Sequence, residues 1–230
     1  MPDAAAQPAA PATGWRAHTP NALTGLRLIL TGAVVALLAV ATLEPIADAS
    51  PALADRLAHA WDRHALVLLA AFFFIVAAIT DALDGYLARK WHAVSVFGRV
   101  MDPLADKLLV LGTFVMLAGP AFEGLGLEAW MVVVILGREL LVTSLRGVYE
   151  AMGVDFSASL SGKLKMIAQS AAAPLLLIIA AAWTPTPESP SLAGAILAWA
   201  TTLITLASAW PYLAKAVRAA RTHPTTKARP

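Results

Sequence analysis

Between Asp81 and Asp106 the chain reads Asp81-Ala-Leu-Asp84-Gly85-Tyr-Leu-Ala88-Arg89, then eight residues, Gly98, three residues, Asp102, three residues and Asp106. Carboxylates at i and i+3, and again at i and i+4, share a helix face, so two facing helices would present four acids to one point. Clustered oxygen donors suit hard divalent cations such as Mg2+ or Mn2+, and two bound cations would match four acids. Zinc is disfavoured, because the chain has no cysteine and none of the motif's defined positions is a histidine. Gly85 and Ala88 clear a small-residue surface beside the acids. A mid-helix glycine costs about 1 kcal/mol relative to alanine, which asks for a packing or ligand reason. Arg89 offers a bidentate fork to a phosphate. Cation, cleared surface and arginine together describe a diphosphate site.

These acids follow directly on a stretch from Ala65 to Thr80 that carries no charge. An aspartate at the centre of a bilayer costs on the order of 3 kcal/mol, so a group of them needs compensation, and bound cations are the expected form of it. The whole chain is 59% hydrophobic and 14% charged, with a mean hydropathy of +0.69, outside the range of soluble domains. Its 230 residues suit one integral membrane domain that carries its chemistry on the spans. The formal charge of +2 does not predict a nucleic-acid partner, because the basic residues fall at span ends and in the tail. Simpler roles exist for single members of the cluster. Asp102-Pro103 is also an ordinary helix N-cap and N1 pair, Asp106-Lys107 also fits a solvated loop, and Gly85 and Gly98 also fit close helix packing. None of these accounts for Asp81 and Asp84 at the end of an apolar run.

The elements that must position the cluster are six predicted spans, at 22–43, 65–88, 100–119, 128–150, 163–183 and 191–214. The Ala/Pro-rich residues 1–18 read as a disordered tail and the first span as a retained helix rather than a signal peptide. Residues 216–230 read as a basic tail, and 52–61 as a short surface helix. Lys and Arg gather in three alternate connections: Arg89, Lys90 and Arg99; Arg146, Lys163 and Lys165; and Lys215 onward. The connections at 119–128 and 184–190 have none, and only the 44–64 connection is mixed, with Arg56 and Arg63 against Glu44, Asp48, Asp55 and Asp62, which predicts cytoplasmic termini. By parity Asp81, Asp84, Asp102, Asp106, Arg138, Arg146, Lys163 and Lys165 then share one shallow layer. The expected fold is therefore all-α: a polytopic integral membrane bundle of about six transmembrane helices with a cytoplasm-facing polar cavity.

The pattern D-x2-D-G-x2-A-R-x8-G-x3-D-x3-D resembles the signature of the CDP-alcohol phosphatidyltransferases, with every position present. The resemblance covers roughly residues 19–215. It implies displacement of CMP from a CDP-linked lipid or alcohol, with Asp81, Asp84, Asp102 and Asp106 as ligands of two divalent cations and Asp106 also as general base. Gly85, Ala88, Arg89 and Gly98 would then line the nucleotide and diphosphate. Three further stretches are similar to the phosphatidylglycerophosphate synthases of that family: Pro20-Asn21-Ala-Leu-Thr24-Gly-Leu-Arg27, Gly137-Arg138-Glu139-Leu-Leu-Val-Thr143-Ser144-Leu-Arg146, and Gly162-Lys163-Leu-Lys165-Met166-Ile-Ala-Gln169. Met166 stands where such proteins usually carry threonine. Asn21, Thr24 and Arg27 either cap the first span or contact the nucleotide.

The implied reaction joins CDP-diacylglycerol to sn-glycerol 3-phosphate. The acceptor brings a dianionic phosphate, and Arg138, Arg146, Lys163 and Lys165 supply the positive donors to hold it. Arg138 and Arg146 are about 80° apart on an ideal helix and can border one cavity. Lys163 and Lys165 point apart, so one should serve the cavity more than the other. Each lysine alone would also suit interface anchoring, and Arg138 an ion pair with its neighbour Glu139. The same chemistry with another acceptor, phosphatidylglycerol or inositol phosphate, is the nearest alternative, and a basic pocket disfavours serine. A cation transporter would spread its acids through the membrane depth and carry an inverted repeat, and the sequence has neither pattern. The expected setting is a bacterial-type inner (cytoplasmic) membrane, among membrane lipids, with the active site facing the cytoplasm. Relatives by this resemblance are often homodimers.

Overall fold

The computed structural model describes residues 15–42, 62–91, 96–152, 160–183 and 186–222. All regular structure among them is helical. We label the helices α1 (Trp15–Ala41), α2 (Arg63–Trp91), α3 (Val96–Leu117), α4 (Ala129–Ala151), α5 (Leu160–Trp183), α6 (Leu192–Ala207) and α7 (Trp210–Thr222), with a 3-10 turn at Pro120–Phe122. The short helix expected at 52–61 and the tail residues 1–14 and 223–230 lie outside the described residues. Four segments are long and apolar enough to cross a membrane: Asn21–Ala41, Arg63–Leu87, Gly162–Ala182 and Leu192–Arg218. The other two expected spans form full-length helices but are broken up by ionisable side chains, Asp102, Asp106 and Lys107 in α3 and Arg138, Glu139 and Arg146 in α4. The chain divides into two compact units, Met1–Thr113 and Phe114–Pro230.

In the first unit, α1 packs along α2. Their buried residues recur every three or four positions: Thr24, Arg27, Thr31, Val34 and Leu38 on α1, and Val67, Ala70, Ala71, Phe74, Ala77, Thr80 and Asp84 on α2. That period defines a single helix face, so Asp84 continues the stripe that begins as an alanine-rich core. The opposite face of α2 exposes Leu68, Phe72, Ile75, Ile79 and Leu83. A stripe of large apolar side chains turned outward is the inverse of a soluble helix and suits contact with acyl chains. Gly112 of α3 lets α1 approach closely, since a Cβ there would meet Val35 Cγ2 at 3.3 Å.

One sequence reading changes here. α3 already runs from Val96, so Pro103 lies inside the helix instead of at its first turn. Asp102 is therefore not an N-cap, and its carboxylate is available for tertiary contacts.

In the second unit α6 packs against α4 and α5, and α7 against α4. Small side chains make this possible: Gly194, Ala198, Thr201, Thr202 and Thr205 form the buried face of α6. The hydroxyls of Thr201 and Thr202 donate to the carbonyls of Leu197 and Ala198 one turn back, which hides their polarity within the helix. The turn before α4 docks on the start of α6, where Ser191 N–H donates to Gly124 O at 2.8 Å and the Ser191 side chain caps α6 by accepting from Gly194 N–H. Gly124 and Gly126 have φ of +90° and +85°, a region that side chains disfavour.

At Gly126 an added Cβ would also meet Ala195 Cα at 2.5 Å. Strained φ and steric conflict together should make Gly126→Ala cost about 1–3 kcal/mol. Thermal unfolding in detergent should show a midpoint several degrees below the parent chain.

Candidate active site

The polar end of the first unit is built on α1. Thr24 and Arg27 are one turn apart on its buried face, and each reaches an acid on a different helix. Thr24 Oγ1 donates to Asp102 Oδ1 at 2.7 Å. Arg27 Nη2 donates to Asp84 Oδ2, and its Nη1 lies 2.5 Å from Asp81 Oδ1. The Nη1 contact is ionic rather than a formed hydrogen bond, and Nε has no acceptor among the described residues. Asp81 and Asp102 both act electrostatically on Asp84. Three of the four sequence-predicted acids thus converge on one face of α1. Asp106 follows one turn after Asp102 on α3, half-buried. Gly98 is buried near the start of the same helix, and Gly85 directly follows Asp84 on α2. Ala88 and Arg89 belong to α2, but their side chains lie outside the described set. Asn21 is half-buried, one turn before Thr24.

The donor set suits a hard divalent cation in kind, being carboxylate oxygen throughout. Among the described residues no group of three or more Asp, Glu, His or Cys side chains is assembled in a metal-binding arrangement. The Arg27 guanidinium lies between Asp81 and Asp84 and balances part of their charge. Asp84 is only 4% exposed and Arg27 fully buried, so the pair exchanges hydration for mutual contact. Two carboxylates against one guanidinium still leave the trio net negative, which fits a site that takes further positive charge. The buried Arg27 Nε in turn offers a donor suited to an anionic oxygen.

The second unit gathers the basic residues. Glu139 Oε1 accepts from Lys165 Nζ at 2.6 Å and from Arg138 Nη1 at 3.2 Å. All three side chains are buried, and Gln169, one turn beyond Lys165, is held by donating to Thr205 Oγ1 at 2.9 Å. Arg138 Nη2 also donates to Ser208 O at 3.4 Å, while its buried Nε has no acceptor among the described residues. Arg146, two turns along α4, donates from Nη2 to Tyr212 Oη at 3.4 Å. Of the two lysines, Lys165 faces this cluster and Lys163 is exposed. The structure therefore brings Arg138, Arg146 and Lys165 into one network and leaves Lys163 outside it. Glu139, which joins two of the cations, was visible in sequence only as a neighbour of Arg138. Tyr212 gave no signal beyond the Trp210-Pro211 pair that precedes it.

A profile of the CDP-alcohol phosphatidyltransferase family matches residues 17–211. Among curated relatives, a Bacillus subtilis protein named CDP-diacylglycerol–glycerol-3-phosphate 3-phosphatidyltransferase is 40% identical over 67% of this chain and 77% of its own length. A Rickettsia bellii protein of the same name is 32% identical over 63% of this chain and 77% of its own. An Arabidopsis thaliana chloroplastic/mitochondrial protein of that name is 42% identical over 40% of this chain and 30% of its own.

Arg27→Met should leave the buried carboxylate of Asp84 uncompensated, at a cost of about 3 kcal/mol. In chelator, the thermal midpoint of the variant in detergent should fall below that of the parent. Adding Mn2+ should narrow the gap, and a gap that Mn2+ leaves unchanged would count against a cation at this position.

Proposed function

Because the chain belongs to the CDP-alcohol phosphatidyltransferase family, we propose that it transfers the phosphatidyl group of CDP-diacylglycerol to sn-glycerol 3-phosphate, giving phosphatidylglycerophosphate and CMP. This is the activity named for the Bacillus subtilis and Rickettsia bellii relatives. The observation that carries the reading is the convergence of Asp81, Asp84 and Asp102 on Thr24 and Arg27 of α1. An apolar chain has little other use for acids grouped in this way.

In the proposed reaction the 1-hydroxyl oxygen of the acceptor attacks the β-phosphorus of the CDP-lipid. A new P–O bond forms in line with the bond to CMP, which breaks, and CMP departs with the bonding electrons. Asp106 takes the hydroxyl proton, a role that contributes on the order of 10² to 10⁴ in rate. Arg27 and Arg89 offer donors to phosphate oxygens. Asp81, Asp84, Asp102 and Asp106 would hold two Mg2+ or Mn2+ ions, which supply charge neutralisation at the diphosphate when bound.

Arg138, Arg146 and Lys165 would hold the acceptor phosphate. Three cations against the one carboxylate of Glu139 leave two positive charges, the complement of a phosphomonoester dianion. That match favours glycerol 3-phosphate over serine, which carries no phosphate. The protein is an integral membrane protein, and the alternation of Lys and Arg between connections supports cytoplasmic termini in a bacterial-type inner membrane. We further propose that it acts as a homodimer.

Purified protein should release CMP from CDP-diacylglycerol with glycerol 3-phosphate. It should not do so with phosphatidylglycerol, inositol phosphate or serine, and EDTA should abolish the reaction. Asp106→Asn should lower the rate at least a hundredfold while CDP-diacylglycerol binding persists. No CMP release with any acceptor would sink the enzyme reading, and release with phosphatidylglycerol alone would reassign the acceptor.

A further inference from the structure

We propose that Tyr212 is a positioning residue for the acceptor phosphate: its ring and hydroxyl hold Arg138 and Arg146 in the pose that receives it. The inference rests on the acceptor assignment above and adds a residue outside the family match, which ends at residue 211.

The argument starts with a helix break. Pro211 has no N–H, so the ladder of α6 cannot pass through it to Ala207 O, and α7 restarts at Trp210. In an unbroken helix Tyr212 N–H would donate to Ser208 O. Here it donates to Ala209 O at 3.1 Å, as Leu213 N–H does at 3.0 Å. Ser208 O is thereby released from that bond, and Arg138 Nη2 takes it. The same break turns Tyr212 inward, 4% exposed, onto α4 beside Val142 and Ala216. Tyr149 Oη fastens the next turn of α7 by donating to Ala216 O at 3.0 Å.

One aromatic ring then serves two guanidinium groups. Arg138 Cζ lies 5.7 Å from its centroid and Arg146 Cζ 6.0 Å, both within cation–π range. The Tyr212 hydroxyl accepts from Arg146 as well. Arg138 and Arg146 carry like charges, so without a shared electron-rich partner they would repel each other and spread over more rotamers. Glu139 neutralises one side of Arg138. Tyr212 touches both arginines. It also leaves the buried Nε of Arg138 unspent, a donor suited to an anionic oxygen.

The test compares steady-state kinetics of Tyr212→Phe, Tyr212→Leu and Arg138→Gln, varying glycerol 3-phosphate and CDP-diacylglycerol separately. Tyr212→Leu removes the ring and the hydroxyl and should raise KM for glycerol 3-phosphate about tenfold, with KM for CDP-diacylglycerol changed less than about twofold. Tyr212→Phe keeps the ring and should recover most of that loss, leaving a rise of about two- to threefold. Equal changes in both KM values, or no recovery by Phe relative to Leu, would overturn the positioning role. Should Tyr212→Leu not fold, a Tyr212→Phe value for glycerol 3-phosphate equal to the parent, or matched by an equal rise for CDP-diacylglycerol, overturns it on its own. Arg138→Gln separates the two levels of the argument. If it raises KM for glycerol 3-phosphate and Tyr212→Leu does not, only the role of Tyr212 falls. If Arg138→Gln leaves that KM unchanged, the acceptor assignment falls with it.

Discussion

Burying ionised groups in an apolar helical protein is the constraint on which the rest of this structure depends. A carboxylate or guanidinium removed from water is tolerated only with a partner at close range. Each buried charge of the two clusters is therefore held by another charged or polar side chain. Arg27 is shared by Asp81 and Asp84, Thr24 serves Asp102, and Glu139 joins Lys165 to Arg138. The pairs lie on the same helical stripes that carry the core, so polar chemistry and apolar packing are continuous along one face. α2 shows this most directly, running from Val67 and Phe74 to Asp84 without leaving its buried side. The arrangement also fixes rotamers, because a side chain that must keep its partner cannot sample widely.

Much of the site was legible in the sequence for that reason. Helical spacing alone puts Asp81 with Asp84 and Asp102 with Asp106, and Asp84 and Asp102 are indeed held by residues one turn apart on α1. The apolar runs forecast helices at five of the expected spans, and the sixth, 191–214, is divided between α6 and α7. Local spacing says nothing, however, about which residue of a distant helix meets a given acid. Arg27 reads as a cap or a nucleotide contact, and only packing reveals it between two aspartates. The choice between Lys163 and Lys165 was equally closed to inspection, since it depends on the rotation of α5. Asp102-Pro103 carries a strong local signal for a helix start, yet α3 begins at Val96. Pro103 is the eighth residue of α3, where its missing N–H costs one helix bond without ending the helix, and the Asp102 carboxylate accepts from Thr24.

The break between α6 and α7 illustrates how a backbone irregularity can be functional without strain. No unusual dihedral is needed at Ser208, whose φ of −68° and ψ of −12° remain in the right-handed region. Pro211 has no N–H for Ala207 O, and the Tyr212 N–H bonds Ala209 O, which leaves Ser208 O to Arg138 of α4. A local cost in helix hydrogen bonds is offset by contacts to arginines that would otherwise have fewer acceptors.

The two faces of α2 have a consequence for the lipid. Asp84 is on the buried side, and the neighbouring Leu83 belongs to the outward apolar stripe. A helix with its side chains is about 10–12 Å across. A molecule with a diphosphate at the acids and acyl chains beside the stripe would need to straddle only one helix. Its tails would never leave their solvent, so the transfer cost of about 0.8 kcal/mol per methylene is never incurred. Turnover then becomes a problem of lateral diffusion in two dimensions, with residence set by the headgroup alone and chain length largely a spectator.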